Sequence, residues 1–89
     1  MEVKIENWTD EQVLKWVNGI KEQVRKNPQC SNATEEELNE MVLDGMFEGF
    51  QQGELSRKNL ARIAKLLGYE VSEEFMNDPH PDPIDMKNK

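Results

Sequence analysis

The chain has 89 residues, of which 33% are charged and 36% hydrophobic, and its formal net charge is −7. That length supports one domain, and a chain this size buries only roughly 60–70% of its unfolded surface, so one small core must stabilise it. The single cysteine, Cys30, excludes an internal disulfide and a thiolate metal site, and no stretch resembles a signal peptide or a bilayer span, which makes a cytoplasmic location the expectation.

Helix punctuation is legible from the first turn. Thr9 stands three residues before Gln12, a capping-box spacing, with Trp8 and Val13 at the staple positions. The first helix is therefore expected from Thr9 to about Lys26, where Asn27-Pro28 disfavours helical geometry. Val13, Val17, Ile20 and Val24 recur at helical spacing on its inner side. Thr34 and Glu37 repeat the capping device, and Glu35, Glu36 and Glu37 place negative charge where it complements the helix dipole.

The second helix carries Leu38, Met41, Val42, Met46 and Phe50 on one stripe, widened by Leu43 and Phe47. A stripe of that width predicts a central helix, unless Leu43 and Phe47 lie opposite the others and form a partner groove. Gly45 and Gly49, four apart, predict close packing by another helix, at a cost of about 1 kcal/mol each against alanine. After the break at Gln51-Gln52-Gly53, Ser56 caps a third helix with Leu60, Ile63, Ala64 and Leu67 facing inward. Gly68 fits the left-handed position that ends it. A short fourth helix is expected from Ser72. The expected fold class is thus all-α: a small bundle of three main helices plus a short fourth, forming one domain over residues 1–77. "NDPHPDPIDMKNK" follows, with three prolines in six residues and few apolar groups, and residues 78–89 read as a flexible, acidic, proline-containing tail.

Chemistry finds little support. The one histidine, His80, falls in the tail, where no rigid element orients it. Ser56 lacks a base to activate it, so capping is its role. Asp78, His80, Asp82 and Asp85 lack the glycine turn and closing glutamate of a calcium loop, so no metal is expected. No cofactor is implied either, and the chain is expected not to be an enzyme.

Charge distribution is more informative. Residues 27–55 hold seven acids and no base, residues 56–69 hold Arg57, Lys58, Arg62 and Lys65 and no acid, and residues 70–85 hold six acids and no base. One surface of a single sign steers association with a partner of the other sign.

"GELSRKNLARIAKLLGYEVSEEF" resembles the closing part of Cro- and repressor-type helix-turn-helix domains. That resemblance implies a transcriptional regulator that contacts DNA, with Arg57, Lys58, Arg62 and Lys65 as the basic set. The segment that would read the groove, "EMVLDGMFEGFQQG", offers Asp44 and Glu48 but no arginine or lysine, and phosphate repels such a surface. "NWTDEQVLKWV" looks like the opening of a SAM domain, which implies a homotypic module in which an acidic face meets the basic set on the next copy. The "MEVK" start, the "EEEL" helix and the small acidic size are similar to nuclease-colicin immunity proteins, although Tyr69 is the only tyrosine where that family uses a tyrosine-rich segment.

The reading these residues favour is a non-enzymatic helical interaction module. Glu36, Glu40, Asp44, Glu48 and Glu54 are the expected contacts for a protein with a basic surface. Its sharper form is a small inhibitor, of phage or mobile-element type, acting on a nucleic-acid-handling protein.

Overall fold

Four local hydrogen bonds start the four helices of the computed structural model, which describes residues 3–87. Thr9 and Thr34 each form the reciprocal capping box, accepting from the backbone N–H of Gln12 and Glu37 while those side chains reach back to the cap. Ser56 and Ser72 accept from Asn59 and Phe75 in the same one-sided way. The elements are α1 (Asp10–Arg25), α2 (Glu35–Gln51), α3 (Arg57–Leu66) and α4 (Glu73–Asn77), with 3₁₀ turns at Pro28–Cys30 and Pro83–Met86. The protein is all-α, with an isolated parallel bridge of Val3 with Leu55.

The long helices α1, α2 and α3 pack against one another around Val13, Val17, Leu43, Leu60, Ile63 and Ala64. Leu43 and Phe47 are buried with Val42 and Met46, so α2 is central and the alternative of a groove between them is overturned. Met41, placed on the buried stripe by its spacing, is instead 39% exposed. Trp8, expected as a staple against Val13, lies edge-on to Trp16 with ring centroids 5.8 Å apart. Two glycines do what their backbone requires: Gly53 and Gly68 take φ of +79° and +95° after α2 and α3.

Gly45 does not mediate close helix packing. It is exposed, and a methyl group built on it or on Gly49 meets nothing within 4 Å. Gly45→Ala is therefore expected to stabilise the protein by about 1 kcal/mol through helix propensity, read as a rise of roughly 4–8 °C in thermal unfolding.

The largest departure from the sequence reading lies after Asn77. Residues 78–87, expected as a flexible tail, pack against the helices: Met86 is fully buried and joins the core, and Pro81 is buried as well. The Ser72 N–H donates to the Asp85 carbonyl at 2.8 Å, and the Lys87 ammonium pairs with Asp44 on α2. The fold thus extends ten residues past the expected boundary at 77; residues 88 and 89 lie outside the described residues. The radius of gyration, 12.8 Å, agrees with a chain folded along its length, for which about 12 Å is expected at this size.

Candidate functional site

Because α2 is surrounded by core on most sides, its acids are forced onto the remaining strip. Glu40, Asp44 and Glu48 are exposed there at a spacing of four, with Met41 and Gly45 beside them. Of the five acids expected to act together, these three share one surface with Glu36, which is exposed four residues before Glu40. Glu36 sits in the first turn and has an interaction of its own within the chain. Glu54 lies beyond Gly53 in the connection to α3, where its carbonyl accepts from the Val3 N–H at 2.6 Å, and it too has a further interaction of its own.

Electrostatics within the strip are uneven. Asp44 is paired with Lys87, a contact the sequence reading missed; the one available signal was that Lys87 is the first base after Lys65. Burial raises the Tyr69 phenol above its ordinary range, and the charge of Glu40 adds to that effect. At the start of α2, Lys21 reaches from α1 to the Glu35 carboxylate at 2.7 Å. That hydrogen bond, followed by the lysine's charge, holds the Glu35 carboxyl below the usual range.

The basic set does not form a face. Arg62 turns inward along the chain's start: its guanidinium donates to the Ile5 carbonyl at 2.8 Å, to the Trp8 carbonyl at 2.6 Å and to Asp10 Oδ1 at 2.8 and 3.2 Å. Arg57 donates to the Phe75 carbonyl at 2.8 Å and lies over the Phe50 and Phe75 rings. Lys58 and Lys65 remain, lining a cleft of about 580 Å³ with Glu6, Leu66 and Met76. Glu6 is held below the usual carboxylate range chiefly by a backbone hydrogen bond, then by the Asn59 amide at 3.0 Å.

The other candidate chemistry resolves into structure. Asp78 and Asp82 accept from the backbone N–H groups of His80 and Ile84, shaping turns. Among the described residues, no group of three or more His, Cys, Asp or Glu side chains is arranged to hold a metal ion. Likewise, no helix among them is long and apolar enough to cross a membrane. Compared with protein-family models, with curated proteins and with solved structures, the chain finds no match.

Proposed function

We infer that the protein is a non-enzymatic interaction module that binds the basic surface of another protein through the exposed strip of α2. The observation that carries this reading is the strip itself: Glu40, Asp44 and Glu48 line the solvent side of the central helix, with half-exposed Met41 among them. Carboxylates of one sign accelerate encounter with a basic surface, and a flexible methionine inside a charged rim adds apolar contact area. The net charge of −7 favours the same class of partner. A nucleic-acid-handling protein, inhibited by occupation of its basic surface in the cytoplasm, is the sharper form of the reading.

The helix-turn-helix alternative is the weaker one, because the Arg62 guanidinium is engaged within the chain and Arg57 lines a different cleft from Lys58 and Lys65. A homotypic contact keeps one supporting observation, the cleft where Lys58 and Lys65 flank Leu66 and Met76. Under that reading sedimentation would show mass rising with concentration and falling with salt.

The test is charge reversal on the strip. Capture from source-cell lysate with the native chain is expected to yield one stoichiometric protein that survives nuclease treatment. The variant carrying Glu40→Lys, Asp44→Lys and Glu48→Lys is expected to lose it with far-ultraviolet dichroism unchanged. Undiminished capture by that variant would sink the acidic-strip reading, and capture lost to nuclease would point to nucleic acid.

A further inference from the structure

Four bases among the described residues are not exposed: Lys21, Arg57, Arg62 and Lys87. Three of them pair with a carboxylate, namely Glu35, Asp10 and Asp44. Arg57 is the exception. In a chain with 18 acids, no carboxylate of the described residues lies within ion-pair reach of its guanidinium. Charges withdrawn from water are ordinarily paired, so the exception needs a reason.

Its surroundings supply one. Arg57 lines a cleft of about 640 Å³ whose apolar walls are Phe47 and Phe50 from α2 and Pro79 and Pro81 from the returning segment. The other polar groups on the cleft are Gln51 and His80, so among the described residues its lining contains no acid. The guanidinium is held firmly in place. Its centre lies 5.5 Å from the Phe50 ring centroid and 5.9 Å from that of Phe75, and one donor is fixed on the Phe75 carbonyl. One bond uses one of the five donors a guanidinium carries. What remains is a planar fork of the kind that grips a carboxylate through two parallel hydrogen bonds.

We propose that this cleft is a binding site for a carboxylate carried on an apolar body, with Arg57 as the anion-binding residue. The carboxylate meets the Arg57 fork, and the body lies against Phe47, Phe50 and the two prolines. A phosphate dianion fits worse, since a single arginine faces it and the walls are apolar. His80, which the sequence places beyond any rigid scaffold, is brought to the site only because residues 78–87 fold back. The site is opposite in charge to the α2 strip and does not depend on that reading.

Two sources share this chemistry, a free organic acid and the C-terminal carboxylate of a peptide. The full chain, ¹⁵N-labelled, is titrated with phenylacetate, with a short peptide ending in phenylalanine, with the same peptide amidated, and with inorganic phosphate. Saturable shifts at the Arg57 side chain with phenylacetate or the free-acid peptide are expected; which of the two binds more tightly identifies the source. Gln51→Glu puts an internal carboxylate at the cleft without touching the core, and is expected to weaken binding at least about tenfold at unchanged unfolding temperature, as loss of a charge-assisted pair does. Arg57→Lys, checked for folding by dichroism, is expected to weaken it comparably because the fork is lost. No saturable shift with either acid, equal binding of the amidated peptide or of phosphate, or full binding by Gln51→Glu would each overturn the assignment.

Discussion

Ending the chain after Asn77 is expected to leave a domain that no longer unfolds cooperatively near the temperature of the full chain. That cut removes Met86, which in the folded chain is as inaccessible as Phe75 or Leu60. Loss of its side chain alone, as in Met86→Ala, is expected to cost about 2–5 kcal/mol through lost transfer energy and the cavity left behind. For a domain of this size each kcal/mol moves the unfolding midpoint by roughly 4–8 °C, so the substitution is readable in a single thermal scan. The truncation adds loss of the Ser72–Asp85 backbone bond and of the Lys87–Asp44 pair. Ile84→Ser is the control. That residue is 66% exposed, and a surface change there should stay within about 0.5 kcal/mol. If the truncated chain keeps the native midpoint, residues 78–87 do not belong to the core.

Arg62→Leu is expected to be the most damaging substitution of a charged residue, at about 2–3 kcal/mol. The reason lies in which of its contacts matters. The ion pair to Asp10 is exposed on the carboxylate side, and pairs of that kind contribute about 0–1 kcal/mol. The carbonyls of Ile5 and Trp8 are different, because they anchor the segment before α1 to α3, with Ile5 itself in the core. Hydrogen bonds from a charged donor are worth roughly 1.5–3 kcal/mol each, less where solvent competes. Asp10→Asn should therefore cost under about 1 kcal/mol. Arg62→Lys should recover only part of the loss, since an ammonium cannot span two carbonyls and a carboxylate with one planar group. Chemical denaturation of the three variants checks the order, and an Asp10→Asn loss as large as that of Arg62→Leu would show that the ion pair dominates.

The same two residues explain why part of the candidate site was hidden in the sequence. Arg57 and Arg62 sit in a four-base run that looks like an outward-facing set. Their acceptors, Phe75 and the Ile5–Trp8 segment, are 18 and more than 50 positions away. No local pattern encodes partners at that range. The acid strip was better exposed to sequence reading, because a spacing of four keeps Glu40, Asp44 and Glu48 together on any helix. Glu54 falls outside that spacing, beyond the Gly53 break. Met41 went wrong for a related reason: its spacing fits the apolar stripe, but which edge of that stripe is covered depends on where α1 and α3 dock.

By itself the sequence determined the helices and their limits. Thr9, Thr34, Ser56 and Ser72 each satisfy a backbone donor three residues ahead, and Asn27-Pro28, Gly53 and Gly68 end what they start. These are short-range interactions, complete before any tertiary contact forms. Only the tertiary structure decided the fate of residues 78–87. Their composition promises no core of its own, and none is needed, because Met86 completes a core already built by α1 to α4. A short segment with one large apolar side chain is ordered when other elements supply the matching cavity, and a cavity is a property of the assembled fold. The Arg57 cleft follows from the same step, since Pro79, His80 and Pro81 close over Phe47 and Phe50 once Met86 is seated.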